Sequence, residues 1–453
     1  MKFITLKLAL CRLTRIFLCF FLMFPAALYA EQSIKTDTVS HLSLQGAITL
    51  AKANNSLIKA AQSEENASNA DLKDAKIAEL PTILAGGDYQ RFTSLTLYND
   101  FLGDAKSVPK RPSSNGADAS LSATFNLYSG GRQKAFEAEQ VNKKGLSGIN
   151  TQEQSANISL QVAAQYLGMV RLNDQKRFIE EQVIRAQTRL KNINALYNNQ
   201  KVTRSDVLRA ELNLSAVKLN LEQTENDITI SNQKLNVLLN LPDTLKIYPS
   251  DSAAMPRPVV DTLLPIVASA DKNAFDVNRI AYNIQIQNAR ISGIKSNYSP
   301  TVALFTAYGL SYPNTIFYPP VDQAYSIGFV GLKIQYNISS RYLNKNKMAA
   351  GKIRLQELQY VQKNISDNTR QTATGLLIKY REALNRITVS EKSIEQARVN
   401  YKIVSAKYFN QLALLTDLLD ADNLYQEARF NLVQAQTTAQ FIYYQLLYTS
   451  GKL

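Results

Sequence analysis

Two aspartates, Asp417 and Asp420, stand three residues apart in Thr416-Asp417-Leu418-Leu419-Asp420-Ala421. That spacing puts both carboxylates on one face of a helix, one turn apart. There they can attract cations, cap the helix, or face water as ordinary surface acids. An earlier segment, Ser205-Asp206-Val207-Leu208-Arg209-Ala210-Glu211, follows the same plan and presents Asp206. Other reactive chemistry is scarce. His41 is the only histidine, and both cysteines, Cys11 and Cys19, fall within the first thirty residues. With no histidine cluster and no later cysteine, no structural metal site, thiol nucleophile or disulfide framework is expected. No set of acids and nucleophiles converges by spacing, so the sequence does not predict an enzyme and implies no cofactor.

The N-terminus reads as an export signal. Lys2, Lys7, Arg12 and Arg15 precede an apolar run at 16–24, and small residues lead to a cleavage point near Ala30. The apolar run is too short to span a bilayer comfortably. Lysine and arginine number 51 against 37 acids, a net charge of +14. The basic residues are interleaved with acids at helical spacing rather than gathered with aromatics, so nucleic acid is not an expected partner. No later stretch is long and apolar enough for a membrane helix.

The elements that position the aspartates repeat. Asn199-Gln200 and the turn after it return at Asn410-Gln411, about 211 residues later, as expected of a supersecondary unit used twice. In the first unit, 44–79 predicts a helix rich in strong helix formers and ended by Pro81. Residues 117–128 alternate apolar and polar, as a two-faced strand does, with 82–92 as partner across a polar loop at 93–116. The second unit supplies strands at 301–311 and 325–338. Each strand is long enough to cross an outer membrane at a tilt. Tyrosine and phenylalanine gather near strand ends, including 312–318, as an interfacial girdle does. Four strands cannot close a barrel, so spanning requires oligomerisation. Long helices follow at 131–197 and 343–409, each on the order of 100 Å. Alternating three- and four-residue steps along Tyr380, Ala383, Ile387, Ser390 and onward to Tyr408, and along Leu214 to Leu238, mark coiled-coil seams. The predicted organisation is a signal peptide at 1–30, a first repeat at 31–240 with its hairpin at 82–128, an irregular proline-rich connector at 241–265, and a second repeat at 266–453 with its hairpin at 301–338.

The entry helix Leu44-Gln45-Gly46-Ala47-Ile48-Thr49-Leu50-Ala51, the corner Phe125-Asn126-Leu127-Tyr128-Ser129-Gly130-Gly131-Arg132 and the two aspartate turns, in this order and repetition, resemble the TolC-like outer-membrane efflux family. The resemblance covers essentially the whole mature chain. It implies a mainly α protein with a membrane β-barrel: a homotrimer giving four strands per chain to one twelve-stranded barrel, continued by a coiled-coil tunnel through the periplasm. It further implies a passive exit duct in outer-membrane lipid, serving a tripartite efflux or type I secretion system. Its partners would be a periplasmic adaptor and an inner-membrane RND or ABC transporter. Asp417 and Asp420 match the acidic pair that rings the tunnel entrance, a cation-binding gate. Asp206 and Tyr408 match the polar network tying neighbouring coils. The network's arginine is Ala413 here, and Arg204 or Arg209 would have to replace it. The tip glycines are Gln200 and Gln411, beside Asn199 and Asn410, at the expected adaptor-docking ends. The turn could then shift onto the asparagines, which tolerate positive φ better. A periplasmic coiled-coil scaffold without a barrel is the competing reading, and the paired amphipathic strands argue against it.

Overall fold

The computed structural model describes residues 39–93, 95–98, 105–108, 113–314, 316 and 321–453. The segment expected to be a signal peptide, with Cys11 and Cys19, lies outside the described residues, as do Phe317 and Tyr318 of the aromatic loop.

The chain opens with β1 (Val39–Leu42), α1 (Leu44–Asn54) and α2 (Ser56–Ile77). The single helix expected over 44–79 is therefore two. Asn55 breaks it: its side-chain oxygen accepts from Leu57 N–H at 2.9 Å while its amide donates to the Leu238 carbonyl at 2.9 Å. An asparagine that can cap the next turn competes with helix continuation.

Next come β2 (Thr82–Arg91), the small antiparallel pair β3 (Leu95–Tyr98) and β4 (Ala105–Val108) within the expected loop, and β5 (Asn115–Tyr128). The long helices α3 (Arg132–Asn198) and α4 (Arg204–Leu239) form the first helical hairpin. Then β6 (Lys246–Pro249) pairs in parallel with β1, followed by α5 (Val260–Ala268), α6 (Ala270–Asn273) and α7 (Phe275–Ser296). The second unit repeats the plan with β7 (Thr301–Tyr312), β8 (Tyr325–Gln335), the short α8 (Ser340–Leu343), and the hairpin of α9 (Lys345–Phe409) and α10 (Leu415–Thr449).

Strands from both units join in one antiparallel sheet, ordered β2-β5-β7-β8. Its register sorts side chains by chemistry. Leu121 stands opposite Tyr308, Phe125 opposite Leu304, and Leu304 opposite Leu332, on one apolar face that continues through Val330 and Ile334. The other face carries Asp88, Asp118, Ser120, Ser122, Ser311 and Gln335, together with Phe305 and Phe329. Val330 is 73% exposed and Ile334 67%, so the apolar face has no cover among the described residues. The outer edges of β2 and β8 are unpaired among the described residues.

The helices hold together along the seams read from the sequence: Tyr380, Ala383, Ile387, Ser390 and Tyr408 are buried on α9, and Val217, Thr224, Ser231 and Leu235 on α4. Where β1 and β6 cross the bundle, Leu44, Ile48, Tyr166, Leu167, Leu235 and Ile247 form the largest core cluster. Tyr166 is fully buried, and its hydroxyl lies 2.8 Å from both the Leu42 carbonyl and the Asp251 carboxylate. That carboxylate also accepts the Leu44 N–H at 2.7 Å, so the buried polar groups are satisfied as burial demands.

The strand-to-helix corner depends on Gly130 and Gly131, at φ +64° and +85°. A Cβ on Gly130 would meet the Ser296 carbonyl oxygen at 2.6 Å, whereas one on Gly131 meets nothing within 4 Å. Both alanine variants strain the backbone by about 1–2 kcal/mol, but Gly130→Ala adds a backbone clash. Thermal denaturation of the purified protein is expected to show Gly130→Ala as clearly less stable than Gly131→Ala.

Candidate functional site

The helical hairpins end in two matching turns. In each, a glutamine takes the left-handed conformation: Gln200 at φ 57° and Gln411 at φ 65°. The 6→1 and 5→2 hydrogen bonds of a Schellman motif close both: Lys201 N–H to Leu196 O and Gln200 N–H to Tyr197 O, then Leu412 N–H to Lys407 O and Gln411 N–H to Tyr408 O. The expected shift onto asparagine does not occur. Asn199 and Asn410 keep φ of −92° and donate instead to the Ala195 and Ala406 carbonyls. The hydrogen-bond pattern fixes which residue turns left-handed, and that position follows the helix end whatever its residue type. Asn199, Gln200, Asn410 and Gln411 are all exposed.

Asp206 caps the helix after the first turn. Its carboxylate accepts from Thr203 N–H at 2.9 Å and Thr203 hydroxyl at 2.8 Å, while its own N–H donates back to that hydroxyl, a reciprocal capping box. Asp417 does half of this, accepting from Leu414 N–H at 3.0 Å. Both carboxylates sit at the positive ends of their helices, where negative charge is favoured. Asp420 is exposed and has no hydrogen bond or ion pair among the described residues, and the same holds for Arg204 and Arg209.

Tyr408 is buried against Ile193, Val207, Ala210, Leu415 and Leu418 beneath the tip. Its hydroxyl has no hydrogen-bond partner among the described residues. Burial, then the nearby Asp206 charge, pushes its ionisation up, opposed by Arg189. The structure thus brings Tyr408 and Asp206 together while leaving Asp417 and Asp420 on the surface of α10.

A second polar cluster escaped the sequence reading. Asp422, one turn beyond Leu418 on α10, is 2% exposed and receives Arg189 at 2.5 Å and Arg185 at 3.2 Å, both from α3. Arg189 also donates to Asn213 on α4. Nearby, Arg429 lies 3.7 Å over the Phe178 ring and pairs with Glu181 at 2.7 Å, holding that carboxyl below its ordinary range. These contacts tie the two hairpins across the repeat. The signal was present: Asp422 falls among the buried positions Leu415, Leu418 and Gln426 on α10, and a charge on a seam calls for a buried partner.

The described residues contain no group of side chains able to hold a metal ion and no helix long and apolar enough to cross a membrane. Residues 47–241 match the sequence profile of the outer membrane efflux proteins. The chain resembles that family over those residues, which fall in its first repeat. Its fold is shared with the outer-membrane channel OprN (TM-score 0.75, 14% identity, 90% of each chain covered) and with VceC of Vibrio cholerae (TM-score 0.75, 14% identity, 90% of this chain and 96% of the other). It is also shared with the open-state channel MtrE of Neisseria gonorrhoeae (TM-score 0.65, 18% identity, 90% and 88% covered). No curated protein sequence matches the chain. The helical tips and the sheet are the parts of this fold whose chemistry calls for explanation.

Two measurements follow from the tips. Asp422→Ala leaves the buried Arg189 and the largely buried Arg185 uncompensated and should cost about 3–5 kcal/mol, read as a large drop in denaturation temperature. Gln200→Gly and Gln411→Gly relieve left-handed strain and should each stabilise by about 1 kcal/mol, read as a small rise.

Proposed function

We propose that the chain is the outer-membrane exit duct of a tripartite efflux or type I secretion system, a passive channel assembled from three copies. The observation that carries this reading is the sheet: four strands with one apolar face uncovered and two edges unpaired among the described residues. Strand order makes β2 and β8 run in opposite directions. A second copy's β2 can therefore continue β8 in the same antiparallel pattern, and three copies close a twelve-stranded barrel with no edge left in lipid. The apolar face then meets the membrane and the polar face lines the bore. A soluble periplasmic scaffold would have to expose the same apolar face to water.

Below the barrel, the two helical hairpins of each copy build the tunnel wall, and the tips at Asn199, Gln200, Asn410 and Gln411 meet a periplasmic adaptor coupled to an inner-membrane RND or ABC transporter. Asp417 and Asp420 ring the entrance, with Asp206 and Tyr408 in the network that holds the coils and Arg204 and Arg209 flanking it. The free carboxylate of Asp420 supports a charged constriction. Asp417 combines this role with the helix cap, one of the readings its position in the sequence allowed.

Cysteines placed singly at Leu121 and Ser122 should differ sharply in labelling by a lipid-soluble maleimide, Leu121→Cys reacting from the bilayer and Ser122→Cys from water. Equal labelling contradicts a membrane strand. In planar bilayers the channel should prefer cations and be blocked by small multivalent cations from the tip side, because clustered acids set the local field. Asp420→Asn should weaken the block at unchanged stability. Asp417→Ala with Asp420→Ala should abolish it, with about 1 kcal/mol lost from the missing cap. Wild-type block in the double variant would place the constriction elsewhere.

A further inference from the structure

Where the sheet gives way to the helices, a cavity of about 430 Å³ opens between the ends of β7 and β8 and the starts of the two longest helices. Arg132, the first residue of α3, and Lys347, in the first turn of α9, both line it. No carboxylate among the described residues does. The positive ends of two helices of 67 and 65 residues therefore meet two side-chain cations in one polar pocket. Thr301 and Gln335, opposite one another in the sheet, add its floor from the polar face.

An independent observation points to a ligand. Ser340 lines the same cavity, is only 3% exposed, and its hydroxyl has no hydrogen-bond partner among the described residues. A buried hydroxyl without a partner is costly, and one in a cavity lined by two cations is suited to an anion's oxygen. Arg132 is already aimed by a 2.9 Å hydrogen bond to Asn297 Oδ1, which leaves the Asn297 amide hydrogens available as further donors. Lys347 has no ion pair among the described residues.

We propose that this junction pocket binds a phosphate group, held by Arg132, Lys347, the Ser340 hydroxyl and the Asn297 amide. Several donors around one point, with formal positive charge and no competing acid, match a tetrahedral oxyanion with three acceptor oxygens better than a planar or neutral ligand. The cavity has room beyond a bare phosphate, so it can take the group on a larger molecule. That molecule is either a soluble phosphorylated solute reaching the polar face or an anionic lipid whose headgroup sits at the end of the sheet. The site belongs to a single chain and stands whether or not the gate assignment holds.

The test uses the full protein purified in zwitterionic detergent. Inorganic phosphate is titrated calorimetrically, and retention of phosphatidylglycerol against phosphatidylcholine is followed by native mass spectrometry. Saturable phosphate binding is expected, weakened about tenfold in Lys347→Gln, which removes one charge-assisted contact, and less in Ser340→Ala. Lys352→Gln, an equal loss of charge further along α9, should bind as wild type. Ser340→Ala removes no contact within the protein, so its denaturation temperature should hold, separating lost binding from lost structure. Selective phosphatidylglycerol retention with the same order of variants, and no binding of free phosphate, supports the site with a lipid as its source. Binding of neither probe, or equal losses in Lys347→Gln and Lys352→Gln, overturns the proposal.

Discussion

The free edges of the four-stranded sheet govern everything else. Each unpaired N–H and C=O along β2 and β8 must find a partner before the uncovered apolar face can enter lipid, where an unsatisfied backbone group costs several kcal/mol. One chain cannot supply those partners. The two repeats contribute β2 and β5 and then β7 and β8, so duplication within the chain makes one section of a wall whose ends remain open. Copies of the chain are the simplest source of a matching edge, since they bring a strand of correct length, direction and face.

The same logic runs down the helices with different chemistry. Helices of some 65 residues satisfy their own backbones, so their constraint is lateral. Small and polar seam residues such as Ala383, Ser390, Thr224 and Ser231 let the coils approach closely. Charges then hold the hairpins in register: Asp422 with Arg185 and Arg189 near the tip, and Glu181 with Arg429 further up. A buried ion pair adds little net stability against an apolar alternative, yet it is specific about partner and register. That is the property a wall of near-identical helices lacks, because a hydrophobic seam alone tolerates slippage by a heptad.

Much of this was legible in the residues. The period of two at 117–128 and the alternating three- and four-residue steps along α9 located strands and seams to within a few positions, because burial on one face imposes those periods directly. Local competition was less visible. Asn55 ends a helix that composition alone would continue, and the first turn of α4 uses Asp206 for a cap as well as for charge. At the tips the left-handed position stayed on Gln200 and Gln411 despite neighbouring asparagines, since helix-end hydrogen bonds outweigh residue preference. Asp422 and its arginines went unread because their pairing joins positions 233 and 237 residues apart, a separation that no local pattern encodes. The unpartnered Ser340 hydroxyl is likewise a fact of packing alone.

The central claim, closure of the sheet by further copies, is best tested by disulfide trapping between edges. Single chains carrying one cysteine on β2 and one on β8, at several registers along Thr82–Arg91 and Tyr325–Gln335, would be oxidised in outer membranes and run without reductant. The account predicts that some registers yield a covalent ladder ending at three chains, and that pairs offset by one residue yield less. A chain that remains monomeric at every register, or a ladder that continues past three, would contradict it.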